Sequence, residues 1–283
     1  MLGSVFRFRR RDIGEHHAAK RRARRQVAMT TTLAAVTTIA LALITAARSR
    51  RDHPMDHADE DVASAPLQPI PQPPAQDDRP LEYHSIAAHF AATAHSVPDR
   101  VALRTATDTV TYRELLHAAQ ASRPRSGDAR RAAVLPAPLT PPTVATALGL
   151  FVSGTPVVAL DPATPQNRAQ KITAILTEHG YRPWHVEVPV DLPREPDAEA
   201  QWGAGPDTDD IATIQFTSGS TGTPKAVLHP NGLWLADAQL LNDRFGLGDG
   251  RRVALCLPIS FAAGLNVLIA ALLGGAEIVT VDP

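Results

Sequence analysis

The stretch "IQFTSGSTGTPKAVLHP", Ile214 to Pro230, sets five Ser/Thr hydroxyls, two glycines and one lysine into the nine residues Thr217 to Lys225, between two apolar runs. The flanks read as β-strands, so the loop lies after a strand, where α/β proteins bind ligands. Gly219 and Gly222 allow close backbone approach, so amide N–H groups can point at an anion. The hydroxyls of Thr217, Ser218, Ser220, Thr221 and Thr223 can donate further bonds, and Lys225 supplies a point charge. Together these groups suit phosphate. They do not make a Walker A loop, which carries Gly directly before Lys and a helix after it. Here Pro224 precedes Lys225 and an apolar strand follows.

Outward from this loop, helix and strand signals alternate from Leu81 to Pro283. Ser85 is placed to cap a helix in which Ile86 and Phe90 share a face. "VALRT" and "TVT" read as short strands, and Thr111 with Glu114 forms a capping box. "AAVLP" reads as a buried strand, followed by a helix with Thr140 as cap, Pro141 in the first turn and Gly154 as the stop. "PVVAL" is the next strand, and the helix after it turns Ile172, Ile175 and Leu176 inward and ends at Gly180. "WHVEVPV" is assigned as a strand, and the segment up to Asp210 as a polar loop. "IATIQF" and "AVLH" are strands on either side of the hydroxyl-rich loop, followed by a helix from Asn231. "RVALCLP", "AAGLNVLIAALLGG" and "AEIVTV" then make a β-α-β unit. Continuous apolar strands between amphipathic helices predict an α/β fold with a mainly parallel sheet covered on both faces. The lone cysteine, Cys256, is expected to be a buried, inert thiol on its strand. His84, His89 and His95 lack the i, i+4 pairing of helical zinc ligands, so no metal site is assigned.

"TSGSTGTPKAV" resembles the phosphate-binding signature of the adenylate-forming superfamily: acyl-CoA synthetases, peptide-synthetase adenylation domains and luciferases. "VPDRVAL" followed by "TYRELLHAA" is similar to the amino-terminal pattern of that family. In "FVSGTPVVALDPATPQNR", Asp161, Pro162, Pro165 and Arg168 stand at the positions of the peptide-synthetase pattern Leu-Asp-Pro, two residues, Pro, two residues, Arg. "LPISFAAGLNVLIAALLGGAEIVTVDP" resembles the following helix and strand, whose start borders the acyl pocket. The resemblance implies ATP-dependent activation of a carboxylic or amino acid to an acyl-adenylate, with transfer to a thiol or amine. It implies that Thr217, Ser218, Gly219, Ser220, Thr221, Gly222, Thr223 and Lys225 hold the ATP phosphates, with Mg²⁺ bridging phosphate oxygens. It places Phe261, Ala262 and Gly264 at the substrate pocket. The Phe-His-x-x-Gly often found in acyl-CoA synthetases reads here Ser260-Phe261-Ala262-Ala263-Gly264, and no counterpart of the amine-binding aspartate occurs in "SFAAGLN". No catalytic residue is assigned.

In that family the adenine-binding Tyr-Gly-x-Thr-Glu strand, a ribose-binding Asp and a mobile domain with a catalytic Lys follow the part matched here. The chain is therefore expected to be the N-terminal part of an adenylating enzyme, truncated at Pro283 on an unfinished sheet edge and inactive alone. The alternative is a catalytically dead, membrane-tethered module that binds a nucleotide or a partner.

The first eighty residues have a different composition. Residues 1–26 hold nine Lys/Arg against two acids, and Val27 to Ala47 is a charge-free run of 21 residues. That length suffices for a membrane-spanning helix. A signal-peptide core and a segment upstream of the true start are the other two readings. Residues 48–80, with seven prolines, read as a flexible linker. The expected organisation is a basic segment 1–26, a membrane helix 27–47, a linker 48–80 and a synthetase-like part 81–283. A single-pass protein with its globular part in the cytoplasm is expected, or a cytoplasmic protein if translation starts at Met55. A formal net charge of −1 over 283 residues gives no footprint for nucleic acid.

Overall fold

The computed structural model describes residues 81–124, 130–193, 202, 205–217, 224–248 and 250–280. The expected membrane helix at 27–47 and linker at 48–80 lie outside these residues. Among the described residues no helix is long and apolar enough to cross a membrane.

Helix α1 (Ile86–Ser96) starts where Ser85 Oγ accepts the Ala88 N–H at 3.1 Å, and it buries Ile86 and Phe90. Strands β1 (Val101–Arg104) and β2 (Thr109–Thr111) pair antiparallel. Helix α2 (Tyr112–Ala121) then opens on the expected capping box: Glu114 N–H donates to Thr111 Oγ1 at 3.2 Å, and Thr111 N–H to Glu114 Oε2 at 2.8 Å. Next come β3 (Arg131–Pro136), α3 (Pro141–Val152) under its Thr140 cap, and β4 (Val157–Leu160). Helix α4 (Gln166–Glu178) buries Ile172 and Leu176, while Ile175 is only half-buried; Gly180 follows it at φ 82°. A left-handed residue at that point favours glycine. The next strand, β5, is Arg182–His185, earlier than the expected "WHVEVPV". Its register is set by parallel pairing to β3, with Ala133 opposite Trp184. The hairpin strands are β6 (Ile211–Thr217) and β7 (Lys225–Pro230), followed by α5 (Asn231–Phe245), β8 (Arg252–Leu255), α6 (Ala262–Leu273) and β9 (Glu277–Thr280).

The strands form two sheets where the sequence suggested one. The five-stranded sheet has order β5-β3-β4-β6-β7 and the four-stranded sheet β2-β1-β9-β8. Both are mixed: the β3, β4, β5 and β6 pairings are parallel, as are β1 with β9 and β8 with β9. The β6–β7 and β1–β2 pairs are antiparallel. The last strand, β9, lies between β1 and β8, and the four-stranded sheet ends on β2 and β8. The expectation for Cys256 is corrected: β8 ends at Leu255, and the thiol one residue later is exposed.

The core beneath the hairpin is built by Ala132, Val134, Val158, Ile172, Leu176 and Ile214, with Leu160 and Phe216 packed against them. Helices α1, α3 and α6 meet at Ile86, Val144, Leu148, Leu265 and Ile269 around a gap of about 10 Å³. Tyr112 ties α2 to the start of β9, its hydroxyl donating to Ala276 O at 2.8 Å in a fully buried setting. Removal from water pushes that phenol well above its usual range.

Candidate active site

The β6–β7 hairpin is held by pairs from Ile214 opposite Leu228 to Thr217 opposite Lys225. The pair Thr217–Lys225 closes the ladder at the ends of two adjacent strands. Ser218, Gly219, Ser220, Thr221, Gly222 and Thr223 lie outside the described residues, as does the side chain of Thr217. Pro224 is buried and Lys225 is exposed. Buried Pro224 fixes the entry to β7 from inside, which leaves the Lys225 ammonium in water at the loop base. A proline suits this first, edge-strand position, where no ladder N–H is required of it.

Beside the ends of β4 and β6 opens a cleft of about 660 Å³. Its lining comes from the turn from β4 into α4, with Asp161, Thr164, Pro165 and Arg168, from Gln215 and Phe216 of β6, and from the entry to α6, with Ser260, Phe261 and Ala262. Phe261 stands 62% exposed at the rim, an aromatic left in solvent. Gly264, by contrast, is buried: a Cβ there would meet Pro258 O at 2.3 Å, so its role is close packing of the loop on α6. Of the residues assigned to a substrate pocket, Phe261 and Ala262 therefore line the cleft and Gly264 supports it from behind.

Asp237 and His229 are buried and do not line the cleft. Asp237 of α5, 5% exposed, accepts a hydrogen bond from Asn266 Nδ2 of α6 at 3.1 Å, and burial raises its carboxyl to about 6. His229, at the foot of β7, stacks on Trp234 with centroids 5.4 Å apart, and burial lowers its imidazole to about 4. The sequence reading missed Asp237, Asn266, Gln215 and Ser260. The polar positions Asp237 and Asn266 inside otherwise apolar helix faces were the signal available for that pair.

The sequence profile described as AMP-binding enzyme matches residues 90–283. The chain belongs to the AMP-binding enzyme family. Within that family it is 29% identical over 231 residues to pyochelin synthetase PchF of Pseudomonas aeruginosa, covering 76% of this chain and 12% of that protein. It is 28% identical over 209 residues to tyrocidine synthase 3 of Brevibacillus parabrevis, covering 67% of this chain and 3% of that protein. The N-terminal subdomain of Klebsiella oxytoca NpsA, solved with 3-hydroxyanthranilyl-AMSN, superposes with a TM-score of 0.57 at 26% identity, over 71% of this chain and 54% of that one. This AMP-binding chain thus spans a small part of the curated relatives it matches, and its α/β fold is that of adenylation-domain N-terminal subdomains.

Proposed function

We propose that this chain contributes the phosphate grip and one side of the acid pocket in an ATP-dependent reaction that turns a carboxylate into an acyl-adenylate. The observation that carries the proposal is the hairpin closed by Thr217 and Lys225 next to the cleft at the ends of β4 and β6. The donor set fits ATP: Lys225 is exposed, and its ammonium has no ion-pair partner among the described residues. The hydroxyls and amides between Thr217 and Thr223 would complete the hold on the β- and γ-phosphates. Mg²⁺ bound with the nucleotide would supply charge compensation. The chain's own part is to fix the polyphosphate and orient the acid in the cleft, since a carboxylate attacking phosphorus needs alignment and charge compensation above all.

The similarity to pyochelin synthetase, tyrocidine synthase and the NpsA subdomain supports acid activation, and a thiol or amine acceptor belongs to the same proposal. The expected membrane anchor remains part of the proposal for 27–47, with the synthetase-like part in the cytoplasm, where ATP is available. Calorimetric titration of the 283-residue chain with MgATP tests the grip. Lys225→Ala is expected to weaken binding about tenfold, about 1.4 kcal/mol. Equal affinity for MgATP in the two proteins would overturn the role of the hairpin. Binding by the chain with no acid-dependent pyrophosphate exchange, even when the remaining adenylation motifs are supplied, would favour a binding module over an enzyme.

A further inference from the structure

The cleft contains a cation that the phosphate grip does not use. Arg168 stands in the first turn of α4, half-buried, and lines the cleft. Its guanidinium has no hydrogen-bond or ion-pair partner among the described residues. An Arg drawn partly out of water normally pairs, because five rigid donors then need acceptors. The one acid in the same lining does not serve it. Asp161 Oδ1 accepts the Ala163 N–H at 2.8 Å, and Asp161 O accepts the Thr164 N–H at 2.8 Å, so the carboxylate is folded back on its own turn.

The α6 part of the lining also holds a polar group without a partner among the described residues. Ser260 Oγ is buried with no hydrogen-bond partner. Phe261 at the start of α6 gives no side-chain cap, and Pro165 at the start of α4 gives none either. Two helices of 13 and 12 residues thus begin on one cleft with uncapped amides and their positive dipole ends. A guanidinium without a partner among the described residues, a buried hydroxyl and two helix starts without side-chain caps, in the lining of one cavity, have a common complement in anionic oxygen.

We infer that the cleft between Arg168 and Ser260 binds an anionic group of the ligand, a carboxylate or phosphate, through the Arg168 guanidinium. The inference rests on the reading that this cleft serves acid activation. That reaction must bring a carboxylate against a polyphosphate, so one cation at the hairpin leaves the repulsion only partly compensated, and Arg168 is a second cation on the other side of β6. Asp161, in the same lining, has its Oδ1 engaged by the Ala163 N–H.

The test titrates the full chain and its Arg168→Ala, Arg168→Lys, Arg168→Glu and Ser260→Ala variants with four probes: succinate, benzoate, inorganic pyrophosphate and MgATP. Thermal unfolding first establishes that each variant folds. Arg168→Ala is expected to weaken at least one probe about tenfold, Arg168→Glu to abolish its binding, Arg168→Lys to retain part of it, and Ser260→Ala to cost a few-fold. A loss confined to succinate identifies a carboxylate, and a loss confined to pyrophosphate and MgATP identifies a phosphate. Unchanged affinity for all four probes in Arg168→Glu overturns the proposal. Lys225→Ala separates this outcome from the hairpin reading: if it leaves MgATP unaffected while Arg168→Ala does not, the hairpin role fails and the anion site stands.

Discussion

Two β-α-β units in this chain are built almost alike and treat their helix starts in opposite ways. In β3-α3-β4 and β8-α6-β9 the strands are parallel neighbours, each helix has twelve residues, and each unit turns on a left-handed glycine, Gly154 at φ 67° and Gly275 at φ 78°. Helix α3 begins on Thr140, whose Oγ1 accepts the Thr143 N–H, and all twelve of its residues are buried. Helix α6 begins on exposed Phe261 with no cap, at the rim of the cleft. The capped unit is satisfied internally and serves as scaffold. The other unit starts its helix without a side-chain cap, next to a buried Ser260 hydroxyl that has no partner among the described residues.

The largest effect expected on this comparison comes from the glycines that let both helices approach their neighbours. A Cβ at Gly149 of α3 would lie 2.6 Å from Ala119 O, and one at Gly264 of α6 would lie 2.3 Å from Pro258 O. Both obstacles are backbone, so neither can swing aside. Gly149→Ala and Gly264→Ala are each expected to cost about 3 kcal/mol, read as a lower urea midpoint at unchanged slope. A Gly264→Ala protein as stable as the parent would mean that the α6 entry is loose, and that its resemblance to α3 ends at the strands.

The second effect separates the units by charge. Helix α3 carries no ionisable side chain, whereas α6 shares with α5 the buried pair Asp237–Asn266, in which Asn266 Oδ1 lacks a partner. The Asp237 carboxyl is raised from 3.8 to about 6 by burial, so the folded state binds the extra proton. Stability from this residue is then full below pH 3.8 and lost as pH rises through about 6, on the order of 2–3 kcal/mol in all. His229 titrates the other way: its lowered value of about 4 costs stability as pH falls from 6.5 to 4. Only a variant isolates the first slope. Asp237→Asn, which can both accept from and donate to Asn266, is expected to raise stability at pH 7 and to flatten the difference from the parent below pH 4. A constant difference between pH 4 and 7 would show that Asp237 is ionised throughout.

What was legible in the sequence divides along the same line. The caps of α1, α2 and α3 were readable because Ser85, Thr111 with Glu114, and Thr140 act within three residues of themselves. The β-α-β unit around α6 was readable from its apolar runs. Strand direction was not, since whether β7 turns back on β6 or crosses over depends on the path of the loop. The place of β9 inside its sheet depends on β1, some 175 residues earlier, as its partner Leu103–Ile278 illustrates. Exposure of Cys256 follows from where β8 stops, a one-residue question that hydropathy does not decide. The family signature is local, spelled in Thr217–Lys225 and in the entry to α6, so it could be read without the fold. The cleft, however, joins residues near 161, 215 and 261, and the pair Asp237–Asn266 bridges two helices; neither assembly has a local pattern.

The smallest effect tests the helix starts directly. Thr140→Ala should cost about 1 kcal/mol, because Thr143 N–H loses its acceptor and the Thr140–Thr143 hydroxyl contact at 2.9 Å is lost. The converse change, Phe261→Ser, supplies α6 with the cap it lacks. Phe261 is 62% exposed, so little packing is forfeited, and the new hydroxyl can accept from an amide in the first turn. Stability should rise by up to about 1 kcal/mol while affinity for an anion at the cleft falls, since the same amides cannot serve both acceptors. Urea unfolding and probe titration of one protein read the two together. If Phe261→Ser gains stability and keeps its anion affinity, the open start of α6 is a structural accident and Arg168 alone reads the ligand. If it gains neither, the amides are already turned away from the cleft. A gain in one at the expense of the other is the result that makes the missing cap part of the binding site.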